Sequence, residues 1–204
     1  NAFIAAICGD TTIWKPSSSV PLCAIAVQNI CNEVMEKNGY SGIFSTIIGK
    51  GSVVGERMLA DKTIPLVSFT GSTKMGRHVS SKVAERFGKT ILELGGNNAI
   101  IIDESANLDL VIPAVVFGAV GTAGQRCTST RRIIIHESIH DNFIDRLLKA
   151  YKQVNIGDPL NKNTLMGPLV NENAVSDFLD AVKTVKSSGG EILCGGEKLN
   201  QEGN

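Results

Sequence analysis

Apolar positions alternate between a helical rhythm and a strand rhythm along almost the whole chain. Phe3, Ile4 and Ile7 open it at helical spacing, which predicts a helix over residues 2–8 closed by Gly9. Thr11 to Lys15 is β-branched and aromatic and predicts a short strand ended by Pro16. Ser17–Ser19 with Pro21 starts a helix over 21–37, which Gly39 stops and on which Cys23, Val27, Ile30 and Val34 form the apolar stripe. The alternation continues with a strand at Ile43–Ile48, a helix over 52–60, a strand at Leu66–Phe69, a helix from Ser72 to Phe87 and a strand at Thr90–Leu94. Beyond it come a strand at Ala99–Ile102, a helix over 107–119 and a strand at Arg132–Ile135. A helix then starts at Ser138 and puts Phe143, Ile144, Leu147, Leu148 and Tyr151 on one face, and a helix over 171–187 and a strand at 191–194 end the series. Such alternation predicts an α/β protein with a doubly wound parallel sheet. Ligands of such sheets bind at the carboxyl ends of the strands, where Lys15, Gly49, Phe69 and Glu93 fall.

Composition narrows the class. The 204 residues are 43% hydrophobic, enough for one or two domains with real cores. A net charge of +0 gives no electrostatic reason to expect nucleic acid or an anionic membrane surface. No apolar run reaches the roughly 18 residues of a membrane span, and the chain opens without the basic segment of a secretory leader. The five cysteines include no C-x-x-C pair, which suits free thiols in a reducing compartment and argues against a zinc knuckle. Cys8, Cys23, Cys31 and Cys194 sit in apolar or turn contexts and read as structural. His136-Glu137-Ser138-Ile139-His140 matches H-E-x-x-H, but that zinc site needs both histidines on one helix face. Ile133–Ile135 reads as strand, and Ser138 with Asp141 reads as a capping box, so the helix starts between the histidines and no metal site is expected.

Two stretches carry candidate chemistry. Gly121 and Gly124 precede Cys127, with Arg126 beside it and hydroxyl residues after it. A neighbouring cation favours the thiolate, the reactive form of cysteine. From this stretch alone, a nucleophile and a core cysteine in a glycine-rich turn both remain open. In Leu92-Glu93-Leu94-Gly95-Gly96 a lone carboxylate ends an apolar strand, placed either as a general base or as a surface charge. Phe69-Thr70-Gly71-Ser72-Thr73-Lys74-Met75-Gly76 joins a strand to a helix, where backbone N–H groups suit a pyrophosphate. Arg77 and His78 stand where a P-loop needs Lys and Ser/Thr, which excludes that NTPase signature. Gly49-Lys50-Gly51-Ser52-Val53-Val54-Gly55 misses G-x-G-x-x-G by one residue.

In this order and with Glu93 and Cys127 34 residues apart, the motifs resemble those of the aldehyde dehydrogenase superfamily over essentially the whole chain. The resemblance implies a Rossmann-like portion binding NAD, with NADP admitted, over 1–95, and part of an α/β catalytic domain over 96–204, both incomplete. It implies Cys127 as nucleophile and Glu93 as general base. Lys15, Ser18, Gly51, Gly55, Phe69, Gly71, Ser72, Gly76, Leu94 and Gly95 then line the cofactor site. Many members carry Glu where this chain has Ser18, and a neutral residue there would not repel a 2′-phosphate. The reaction implied is attack of the thiolate on the aldehyde, hydride transfer to the nicotinamide and hydrolysis of a thioester by water that Glu93 activates.

Asn97-Asn98-Ala99 and the Gly124-Gln125-Arg126-Cys127 loop, with His136–Asp141, resemble the antiquitin branch, the α-aminoadipic semialdehyde dehydrogenases of lysine breakdown. There the Arg before the nucleophile holds the amino-acid end of the substrate, which implies that role for Arg126; a structural ion pair is its other reading. A betaine-aldehyde or broad-range dehydrogenase is the alternative. The family's oxyanion Asn and its E-x-F-G-P glutamate fall outside the chain, which therefore reads as an internal part of a longer subunit. A non-catalytic piece that only binds partners is the rival of another class. The resemblance also implies a homo-oligomer, a tetramer in the parent, in the cytoplasm or the mitochondrial matrix.

Overall fold

The computed structural model describes residues 1–201 and 203, and the chain folds as two compact units, Asn1–Leu94 and Gly95–Asn204. The first contains α1 (Ala2–Ile7), β1 (Thr12–Trp14), α2 (Pro21–Lys37), β2 (Phe44–Thr46), a π-helical turn (Gly51–Gly55) running into α3 (Glu56–Ala60), β3 (Leu66–Gly71), α4 (Thr73–Ala84) and β4 (Lys89–Leu94). β1 pairs parallel with β2, Ile13 opposite Ser45, and β3 pairs parallel with β4, Thr70 opposite Glu93. Parallel neighbours need a crossover, and α2 and α4 supply it. The sheet order is therefore carried by two-stranded parallel ladders, each wrapped by its own helix.

α2 corrects one expectation. It is apolar almost all round, so its periodicity alone does not choose the inward face. Ala24, Gln28, Cys31 and Met35 turn inward, and Cys23, Val27, Ile30 and Val34 are exposed. Gln28 decides the matter, because its Nε2 donates to the Phe44 carbonyl at 2.9 Å and its Oε1 accepts from Thr46 Oγ1 at 2.8 Å. Cys8, Cys23 and Cys194 are exposed as well, so they are not buried structural thiols of this chain. The core cluster of this unit is small: Leu59, Val79 and Val83 are buried against Val67, Phe69 and Leu92. Gly76 lets α4 approach β4, since a Cβ there would stand 2.5 Å from Leu94 Cδ2.

The second unit contains β5 (Asn98–Ile102), α5 (Leu108–Val120), a 3-10 turn (Gly121–Gly124), β6 (Thr130–Ile135), a 3-10 turn (Glu137–Ile139), α6 (His140–Tyr151) and α7 (Glu172–Ser187). β5 and β6 are parallel, and a bulge at Asn98/Ala99 leaves Arg131 without a partner in the register. The core joins α5 to α6 through Ile102, Leu108, Ile112, Val115, Phe143 and Leu147. The stripe expected on α6 packs there, with Ile144 and Tyr151 at its margin. The helix itself begins two residues later than expected. Ser138 caps nothing; His136 accepts its N–H at Nδ1 and closes a 3-10 turn, so His136 lies outside α6. Among the described residues no group of three metal-ligating side chains converges. Residues 191–194 form no strand, because among the described residues no other strand takes up their backbone groups.

The accessible surface is 14532 Å², whereas a self-contained globule of this mass exposes about 9,200 Å². Large apolar side chains are part of this surface, with Ile7, Leu22, Ile101 and Leu110 among the most exposed. Among the described residues no helix is long and apolar enough to cross a membrane.

Phe143 is 0% exposed at the centre of the α5–α6 core. Phe143→Ala is expected to destabilise the second unit by about 3–5 kcal/mol, read from urea unfolding of the full-length protein.

Candidate active site

Cys127 sits at the tip of a turn between α5 and β6 and is exposed. The backbone before it is unusual: Thr122 and Ala123 have φ of 54° and 53°, and Gly124 continues at 69°. Left-handed backbone is unfavourable for residues with a Cβ and persists only where surroundings hold it. Gln125 supplies part of that hold. Its Nε2 donates to Thr122 O at 3.2 Å, and its Oε1 accepts the Val170 N–H at 3.0 Å.

The turn closes around the cysteine reciprocally. The Arg126 N–H donates to Ser129 Oγ at 3.1 Å, and the Ser129 N–H donates back to Arg126 O at 3.2 Å. Ser129 is buried to 2% exposure, so its hydroxyl is a fixed part of the structure. From below, Asn98 Nδ2 donates to Cys127 O at 2.7 Å and to Ser129 O at 3.0 Å. Both amide hydrogens of one side chain thus tie the first residue of β5 to the cysteine turn. Gly96 makes this conformation available, because a Cβ there would stand 2.8 Å from Asn98 Oδ1. Asn98 and Ser129 were missed as site residues. A polar Asn heading the apolar run Ala99–Ile102 is the sequence signal that pointed to it, since Asn is depleted in strands. The Cys127 N–H makes no hydrogen bond among the described residues, leaving a donor for an oxyanion.

Arg126 is exposed, and its guanidinium lies 5.7 Å from the centroid of the Phe117 ring. It makes no ion pair among the described residues. Glu93 lies in the last turn of ladder between β3 and β4 and is exposed, not enclosed by apolar groups of its own unit.

The first unit gathers the other candidates at strand ends. Lys15 Nζ donates to Pro16 O at 2.6 Å and to Gly49 O at 3.5 Å, joining the segments that follow β1 and β2. Gly55 faces the Lys15 stem, while Gly51 has no neighbour within 4 Å of where a Cβ would stand. Ser18 is exposed on the turn before α2. Ser72 caps α4, its Oγ accepting the Met75 N–H at 3.2 Å. The next N–H groups, of Thr73 and Lys74, have no acceptor within the helix and are placed for an anion. Gly71 has an intramolecular reason to be glycine, since the Phe69 ring lies 2.5 Å from its Cβ position. Leu94 likewise fills the space at Gly76. Gly95 stands in open space. His78 and Glu56, 2.8 Å apart, tie α4 to the end of the π-helical turn. A lysine, an open glycine turn and free helix-end N–H groups fit the ribose and phosphates of a dinucleotide.

Comparison with known proteins agrees with this chemistry. The model of the aldehyde dehydrogenase family matches residues 1–204, and the chain belongs to that family. A family 7 member A1 homologue from Dictyostelium discoideum is 47% identical over all of this chain and 40% of its own length. The α-aminoadipic semialdehyde dehydrogenase of Bos taurus is 47% identical over all of this chain and 38% of its own length. Among solved structures, an NADP-dependent enzyme of E. coli superposes with a TM-score of 0.89 at 29% identity, covering 93% of this chain and 39% of that one. The betaine aldehyde dehydrogenase of Staphylococcus aureus, solved with NAD+, gives 0.86 at 32% identity, covering 93% and 37%. The chain thus spans about two fifths of the length of the relatives it matches.

If Asn98 holds the turn, Asn98→Ala in the full-length protein removes the donor of two carbonyls. Each hydrogen bond is worth about 0.5–1.5 kcal/mol, so kcat is expected to fall about tenfold. Asn98→Asp sets a carboxylate against two carbonyl oxygens and is expected to fall at least as far. Unchanged kcat in both would show that the turn is held without it.

Proposed function

We propose that the full-length protein carrying this chain oxidises an aldehyde to a carboxylic acid with NAD or NADP, through a covalent intermediate on Cys127. The observation that carries this reading is the turn itself: an exposed cysteine with a free N–H, fixed by Ser129 and by both amide hydrogens of Asn98. Attack of the Cys127 thiolate on the aldehyde carbon forms a thiohemiacetal, and the Cys127 N–H donates to its oxyanion. When bound, a nicotinamide cofactor would supply the hydride acceptor, and Cys127 would then carry the acyl group as a thioester. Glu93 takes a proton from water, which attacks the thioester carbon and releases the acid and the thiolate. In this reading residues 1–95 hold the cofactor through Lys15, Ser18, Gly51, Gly55, Phe69, Gly71, Ser72, Gly76, Leu94 and Gly95, and residues 96–204 carry the nucleophile. Ser18 leaves no carboxylate to exclude a 2′-phosphate, which supports use of both cofactors.

The substrate class follows from Arg126 and from the 47% identity to α-aminoadipic semialdehyde dehydrogenase. An exposed guanidinium without an ion pair beside the nucleophile suits an aldehyde that carries a carboxylate, as α-aminoadipic semialdehyde does. A quaternary ammonium aldehyde would meet a like charge there. The five free thiols suit a reducing compartment, cytoplasm or mitochondrial matrix. The exposed apolar faces suit a protein whose remaining segments and further copies, as a homo-tetramer, cover them.

Glu93→Gln is expected to keep the first hydride transfer and lose deacylation. Stopped flow on the full-length protein should then show a stoichiometric burst of NADH followed by a stall. Unchanged steady-state turnover would remove Glu93 from the mechanism.

A further inference from the structure

Arg126 sits on a flexible stem in an exposed turn, and its guanidinium has an aromatic neighbour. It lies over the ring of Phe117, 5.7 Å from the centroid. Phe117 is 69% exposed, so burial of this ring in the core of its unit does not explain its position on the last turn of α5. The end of α5 is fixed by close packing. Gly118 has Thr130 Oγ1 2.6 Å from where a Cβ would stand, which brings that turn against the first residue of β6. Gly121 leaves room beside the guanidinium, whose atoms begin 3.7 Å from its Cβ position. At the other end Arg126 is anchored by its own backbone, through the N–H to Ser129 Oγ and the carbonyl to the Ser129 N–H. The backbone that carries the ring and the base of the Arg126 side chain are therefore both set by packed parts of the unit.

We infer that Phe117 is a positioning residue for substrate selection: its ring face holds the Arg126 guanidinium in place and leaves N–H donors of the fork to a substrate carboxylate. The inference rests on the reading of Arg126 given above. The physical basis is the attraction of a cation to the negative face of an aromatic ring, which leaves the in-plane N–H donors free for a bidentate partner. An arginine held in this way loses less freedom when it binds. Phe117 touches no reacting atom, so it acts on binding of the carboxylate-bearing aldehyde and not on the chemical step.

The test is a double-mutant cycle on the full-length protein, with kcat and KM measured for α-aminoadipic semialdehyde and for hexanal. Phe117→Leu keeps an apolar side chain and removes the ring face. It is expected to raise KM for the amino-acid aldehyde about two- to fivefold and to leave kcat and hexanal oxidation unchanged. Phe117→Trp, which keeps an aromatic face, is expected to restore KM. In an Arg126→Ala background, Phe117→Leu is expected to add nothing on either substrate. A Phe117→Leu effect of equal size with and without Arg126, or no effect while Arg126→Ala weakens only the amino-acid aldehyde, would overturn this inference and leave the role of Arg126 intact. Equal loss on both aldehydes from Arg126→Ala alone would overturn the carboxylate reading of Arg126, and this inference with it.

Discussion

The candidate chemistry depends on a single amide. Asn98 heads β5 and spends both hydrogens of Nδ2 on the carbonyls of Cys127 and Ser129. Without it, a turn containing two left-handed residues with side chains would rest on its own internal contacts, those of Ser129 and Gln125 foremost, and on Arg131. With it, the carbonyl of Cys127 is fixed while the residue stays exposed. Gly96 belongs to the same device, because Asn98 folds into the space that a Cβ at Gly96 would need. The second glycine of the E-L-G-G motif therefore has a reason that lies in the cysteine turn.

Glycine positions divide by purpose in the first unit. Gly71 and Gly76 are required by Phe69 and Leu94, side chains of the same two strands whose packing sets where α4 begins. Gly51 faces open space, where a ligand can approach the backbone, and so does Gly95 at the start of the second unit. The Ser72 cap begins α4 directly after Gly71, so the packing of these glycines and the capped end of the helix are one construction.

The alternation of elements was legible because period 2 and period 3.6 differ strongly in runs such as Leu66–Phe69 and Phe143–Tyr151. The inward face of α2 was not, because the helix is apolar on several sides and the deciding contact is a polar one, from Gln28 to Phe44 and Thr46. The strand expected at 191–194 has the composition of a strand, but a ladder partner is a long-range fact that composition does not contain. As candidate site residues, Cys127, Glu93 and Arg126 are singled out by motif and spacing. Asn98 and Ser129 are not, because their work is done by hydrogen bonds across 29 and 31 residues and within a turn whose shape only the backbone reveals. Phe117 differs in sequence from no other apolar position of its helix; only the guanidinium above it sets it apart.

Cys8, Cys23, Cys127 and Cys194 are all exposed, so accessibility alone does not single out a nucleophile among them. The direct test is iodoacetamide labelling of the full-length protein at neutral pH, with each of the five cysteines followed by mass spectrometry and activity measured in parallel. If the turn held by Asn98 presents the nucleophile, Cys127 is modified first and activity is lost in step with it. Modification of Cys23 or Cys31 ahead of Cys127, with activity retained, would contradict the account.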